Sequence, residues 1–181
     1  GDFAPLAHLF LPLIGLGAVM TKAQNDSWNE VSTTTIFEEH HLSSLQLGPK
    51  EGLALINGTQ FILAYATMGV DRFFRCLELA DWVGAMSLEA LMGSASPFDA
   101  RLHELRPFGG CQLVAQRLKK LVQGSSILES HQDCDRVQDP YSLRCMPQVH
   151  GASRNAWLHL KELVEIELNA VTDNPIVFSE K

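Results

Sequence analysis

The chain has 181 residues, 46% of them hydrophobic, and a formal charge of −7 at neutral pH, which is long enough for one domain with a real core. A pI near 5.4 argues against nucleic acid or an anionic membrane as partner, because such binders need clustered basic surface to displace counterions. Cys76, Cys111, Cys134 and Cys145 lie far apart with no C-x-x-C pair, so neither a thiol redox motif nor a zinc knuckle is indicated, and reduced thiols in a cytoplasm are expected.

In chain order, the apolar stretch from Ala4 to Met20 holds two glycines and two prolines, which suggests a broken or kinked helix packed on both sides, with His8 a satisfied core histidine. It is too short to span a membrane and no basic region precedes it. Gly15-Leu16-Gly17 lacks the third glycine and the preceding strand of a dinucleotide loop. Residues 22–44 are polar and read as a short irregular or extended excursion, with β-branched Val31-Ser32-Thr33-Thr34-Thr35-Ile36 as its extended part. Glu38-Glu39-His40-His41 offers no metal site: adjacent side chains point apart, and the i, i+4 pair of a metalloprotease helix is absent.

From Gly52 to Met92 apolar residues recur every three or four positions, predicting one or two long buried helices, interrupted by polar Asn57 to Gln60. Ser96-Pro97 opens a helix that Arg106-Pro107-Phe108-Gly109-Gly110 breaks, and Cys111 to Val122 forms another, ended by Gly124. A loop is expected from Ser125 to Pro147. Ser153 to Val171 reads as an amphipathic helix with Trp157, Leu160, Leu163, Val164 and Leu168 inward, stopped by Asn174-Pro175. The fold class is all-α, with long buried helices forming part of a large helical bundle. Faces this apolar must pack into a larger assembly or into further polypeptide.

The chemistry centres on Gln138-Asp139-Pro140-Tyr141-Ser142-Leu143-Arg144. After a buried-looking turn at Pro140, a phenol and a guanidinium three residues apart can face one pocket, where Tyr141 can handle a proton and Arg144 can clamp a carboxylate in its planar fork. Taken alone, that pair is more often structural, at a helix start, and Asn57 is more often a buried amide bonded to a neighbouring carbonyl. His150 and His159 read as structural.

Five stretches change that balance: Gly1 to Leu9, Glu51 to Gln60, Gln138 to Arg144, Pro147-Gln148-Val149-His150-Gly151 and Asn169-Ala170-Val171-Thr172-Asp173-Asn174-Pro175. Together and in this order they resemble the aromatic amino acid ammonia-lyases, over almost the whole length and most weakly from Lys22 to Ser44. The resemblance implies that residues 1–181 are the central part of a single helical lyase domain, with further residues before and after them. It implies elimination of ammonia from an aromatic amino acid, with L-histidine giving urocanate as the expected reaction. A phenylalanine or tyrosine lyase, or an aminomutase, is the alternative within the family, and a non-catalytic helical fragment the alternative outside it.

No external cofactor is implied. The family's electrophile, a 4-methylidene-imidazole-5-one, forms from an Ala-Ser-Gly triad whose last residue is here Gly1. By the same resemblance Asn57 sits by the electrophile and the substrate carboxylate, Tyr141 hydrogen-bonds near the electrophile, Arg144 pairs with the carboxylate, and Gln138 lines the pocket. The implied partners are a small amino acid and further copies of the chain, in a homotetramer with shared sites. The substrate base and the residues that select the side chain are expected outside these 181 residues.

Overall fold

Pro12 interrupts the first apolar stretch, as a missing N–H and a fixed φ dictate. Helix α1 (Phe3–Phe10) gives way to a 3₁₀ turn over Leu11–Ile14, closed by Gly15 in the left-handed region at φ 79°. The computed structural model describes residues 3–178. They divide into two units, one built from residues 3–65 with 168–178 and the other from Ala66–Glu167.

In the first unit the expected break is present, but the doubly packed core is not. Leu6 is the buried residue of α1, while His8, Leu9 and Leu16 are exposed, because this chain lays too few elements against the stretch to cover both sides. A hairpin follows: β1 (Ala18–Lys22) pairs antiparallel with β2 (Trp28–Ser32), Ala18 opposite Ser32. Its turn is made by Asp26 at φ 65°, whose N–H reaches Ala23 O at 3.0 Å. The extended segment therefore lies earlier than Val31 to Ile36. Thr33 to Glu39 is helical (α2), and the buried Thr33 hydroxyl donates to Leu16 O at 3.0 Å. A short helix, α3 (Glu51–Ile56), ends at Asn57, and α4 (Gln60–Ala90) begins three residues later.

Helix α4 runs unbroken for 31 residues despite Gly69 and Gly84. It is long but not buried as expected: Ile62, Tyr65 and Met86 are each 66% exposed. By length and composition Glu51–Ala90 could cross a membrane. Its C-terminal half, however, carries Asp71, Arg72, Arg75, Glu78 and Asp81.

In the second unit the core gathers Ala85 and Leu88 of α4, Phe98 of the 3₁₀ turn Ser96–Phe98, Val114, Ala115 and Leu118 of α6 (Gly109–Leu121), and Leu143 and Met146. Between that turn and α6 lies α5 (Ala100–Glu104), N-capped by Asp99, whose carboxylate accepts from Arg101 N. The stretch expected to be loop contains α7 (Ser126–Glu129) and α8 (Tyr141–Arg144). Helix α9 (Met146–Leu168) starts seven residues before the expected Ser153, because Pro147 falls in its first turn, where a missing N–H costs nothing. Of its expected inward stripe Val164 is buried, and the Trp157 indole N–H donates to Val70 O at 2.9 Å beside the Phe74 ring. Leu160, Leu163 and Leu168 are exposed.

An ion cluster joins α4, α6 and α9. Asp81, wholly buried, accepts from Arg154 Nη2 at 2.6 Å, Arg117 Nε at 2.7 Å and His150 Nδ1 at 3.0 Å, and Glu78 accepts from Arg117 Nη2 and from the same Arg154 Nη2. Burial opposes the charge on Asp81, yet these hydrogen bonds outweigh it and hold its pKa below the usual aspartate value. His150 is structural, as read; His159 is exposed. All four cysteines are free.

Candidate active site

Asn57 stands outside both helices that flank it, with extended backbone at φ −107° and ψ 122°, half-buried, where a residue inside an apolar helix was the simpler expectation. Gly58 follows at φ 147°, and a Cβ there would lie 2.5 Å from Gln60 Oε1 and 2.7 Å from Thr172 Oγ1, so only glycine turns the chain here. The break is tied to the segment after α9. Asn57 Nδ2 donates to Asn174 O at 3.4 Å, and Thr59 N donates to Thr172 Oγ1 at 3.3 Å. Lys50 Nζ lies 3.0 Å from Asp173 Oδ2, close enough for an ion pair but without hydrogen-bond alignment. Two stretches singled out in the sequence are thereby brought together.

In the second unit, α8 is a single turn with Pro140 as its N-cap. Leu143 is the buried residue of that turn and Asp139, just ahead of it, is buried too; Pro140 itself is exposed. Tyr141 and Arg144 do meet: the guanidinium carbon lies 4.1 Å from the centroid of the Tyr141 ring, in a cation–π stack. The ring is 72% exposed. Arg144 is half-buried, its Nε buried with no hydrogen-bond partner, and no carboxylate pairs with it among the described residues. Arg154 Nε is also orphaned, but that guanidinium is anchored through Nη2 to Leu77 O, Glu78 and Asp81; Arg144 has no such anchor among the described residues.

Arg144 and Gln138 line one cleft of about 320 Å³, with Ser94, Ser96, His131, Arg136 and Asp139 among its other walls. Tyr141 is not among them. The sequence reading passed over His131, Arg136 and Asp139, although three ionisable side chains crowded ahead of a Pro-Tyr turn are a visible signal. Gly1 lies outside the described residues. What the cleft offers chemically is an unpaired planar cation beside hydroxyl and amide groups, suited to a small anion such as a carboxylate.

Comparison with known proteins identifies the family. The family model for aromatic amino acid lyases matches residues 1–181. The histidine ammonia-lyase of Sorangium cellulosum (strain So ce56) is 48% identical over 178 residues, covering 98% of this chain and 34% of that protein. Among solved structures, histidine ammonia-lyase from Trypanosoma cruzi superposes with a TM-score of 0.77 at 41% identity, covering 98% of this chain and 32% of that one. Tyrosine aminomutase from Streptomyces globisporus superposes at 0.82 with 34% identity, covering 100% and 38%. The chain thus spans about a third of the length of the curated relatives it matches.

Proposed function

Because the chain belongs to the aromatic amino acid lyase family, we propose that the whole protein eliminates ammonia from L-histidine to give urocanate, and that this chain supplies the wall that holds the substrate's carboxylate. The observation that carries the reading is Arg144, a half-buried guanidinium on a cleft, with a buried N–H that no described residue satisfies. An unpaired buried donor costs roughly 1–3 kcal/mol, and a carboxylate entering the cleft offsets that cost through two parallel charge-assisted bonds. The Tyr141 ring against one face of the guanidinium limits its rotation, so the fork keeps one plane.

In the reaction a Cα–N bond and a Cβ–H bond break and a carbon–carbon double bond forms, releasing ammonia and a proton. A methylidene-imidazolone closed on Gly1 would supply the covalent activation that a poor leaving group and a weakly acidic β-hydrogen require. Asn57 fits a place beside that group: its amide stands in a non-helical break, tethered through Nδ2 to Asn174 O, which leaves its carbonyl side for an incoming donor. Tyr141, with its ring largely in the open, presents a hydroxyl that can bond near the electrophile, and Gln138 lines the carboxylate's side of the cleft.

Identity supports histidine as the substrate, 48% to the Sorangium enzyme and 41% to the Trypanosoma one, against 34% to the tyrosine aminomutase. The TM-score of 0.82 to that aminomutase is what favours the second reading, a mutase or lyase acting on tyrosine or phenylalanine. The bare faces of α4 and α9 support a homotetramer with shared sites, and the free thiols support a cytoplasmic location. The test is product formation by the full-length protein. Urocanate's ultraviolet absorbance should rise with L-histidine, while L-phenylalanine and L-tyrosine give neither their unsaturated acids nor β-amino acids. Turnover of either of those in place of histidine would overturn the substrate assignment.

A further inference from the structure

The connection out of α4 is held by three side chains from the segment just ahead of α8. Met92, at φ 51°, and buried Gly93 turn the chain. The last carbonyls there are covered by a cation: Arg136 Nη1 donates to Leu91 O and Met92 O, both at 3.4 Å, as suits the negative end of a helix. His131 Nε2 lies 2.9 Å from Gly93 O, and its Nδ1 lies 2.6 Å from Ile127 O. Asp139 completes the stitching. Its side chain is 2% exposed; Oδ2 accepts from Ser94 N at 2.6 Å and Oδ1 from Arg136 Nη1 at 3.1 Å.

A carboxylate at the C-terminal end of a helix is electrostatically unwelcome, and a buried one needs both a counter-charge and hydrogen bonds. Asp139 has both, and it has them one residue before the N-cap of the turn that carries Tyr141 and Arg144. Asp139 also shares the walls of the cleft with Arg144. We propose that Asp139 is a positioning residue: clamped between Ser94 N and Arg136, it fixes where α8 begins and so the direction in which Arg144 presents its fork to the substrate carboxylate. This rests on the reading of Arg144 given above. Asp139 touches no substrate; it acts through Pro140 to Arg144.

The experiment compares Asp139→Asn, Arg144→Lys and the double variant in the full-length protein, reading kcat and KM for L-histidine beside thermal unfolding. Asp139→Asn keeps the shape but loses the charge that Arg136 pairs with, and kcat/KM should fall about tenfold or more. In the Arg144→Lys background the same change should cost less than about threefold, since the fork it aims is already gone. Arg136→Gln, at a half-exposed site, should move kcat/KM in the same direction and settles the matter if Asp139→Asn does not fold. Losses that multiply in full in the double variant, or normal kinetics in Asp139→Asn with Arg144→Lys impaired, overturn the positioning role alone. Normal kinetics in Arg144→Lys overturn the carboxylate reading as well.

Discussion

Gly110 and Gly151 meet with no room for a side chain on either: a Cβ on Gly110 would stand 2.2 Å from Gly151 O, and one on Gly151 would stand 2.5 Å from Cys111 N. This backbone contact sets how closely α6 and α9 approach, and Asn155 Oδ1, accepting from Gly110 N at 3.0 Å, fixes its register.

An alanine at Gly110 should therefore destabilise the protein by about 1–3 kcal/mol as the two helices are wedged apart. Gly69 makes the control. No described residue lies within 4 Å of its added Cβ, so Gly69→Ala should raise stability by about 0.5–1 kcal/mol through helix propensity alone. Thermal unfolding of both full-length variants checks the pair; a loss at Gly69 would show that another surface covers this part of α4.

Asp81 should be the most costly single charge to remove. Asp81→Asn leaves Arg154, 5% exposed at its side chain, and Arg117 short of an anion, and should cost about 3 kcal/mol in urea unfolding.

The same group predicts an acid limb. Its folded pKa lies below its unfolded value, so its contribution is present above about pH 4 and is lost as pH falls through the lower folded value. The midpoint of unfolding in the parent should drop steeply below about pH 4, and Asp81→Asn should flatten that limb. An unchanged limb in the variant would assign the acid sensitivity to other carboxylates.

For Asn57, retention of a half-buried amide in the α3–α4 break separates stability from function. Asn57→Leu removes one bond, that to Asn174 O at 3.4 Å, worth about 1 kcal/mol, so folding should stay near normal while turnover of L-histidine falls by orders of magnitude. A poorly folded protein whose soluble fraction keeps normal specific activity would make Asn57 a structural amide.

Shared sites make a further prediction. Full-length Asn57→Ala and Tyr141→Phe, each inactive, should recover partial activity when their subunits exchange, because some hybrid sites draw both intact residues from different copies. Demonstrated exchange without recovery would count against sites built across subunits.

The long helices and their stops were legible because they rest on local chemistry: α6 ends at Leu121, one residue from the expected Val122, with Gly124 at φ 74° in the turn just beyond, and Pro107 breaks the chain before it. What misled was local chemistry with two meanings. Pro147 closes a loop or opens a helix equally well, and its buried setting decided for the helix. The hairpin was signalled by Asn25-Asp26-Ser27 between two short alternating runs, yet Ala18 to Lys22 reads as the tail of an apolar stretch. Burial was overestimated for α4 because periodicity tells which face is apolar but not whether this chain is what covers it. In the candidate site, the motif positions stood out through their joint order along the sequence. The role of Asp139 did not, since an aspartate before proline is solvated in most turns, and only the fold places Ser94 N over it. Likewise Asp81 and its partners are 36, 69 and 73 residues apart, a pairing that no local pattern encodes.

The indole of Trp157 gives the molecule its own optical gauge. It is hydrogen-bonded to Val70 O with its ring 5.0 Å from that of Phe74, whereas Trp28 and Trp82 are 61% and 56% exposed. Emission from Trp157 should lie to the blue of the other two and should redden when α9 peels from α4, so steady fluorescence can follow that one seam, without any label, while the rest of the fold stays intact.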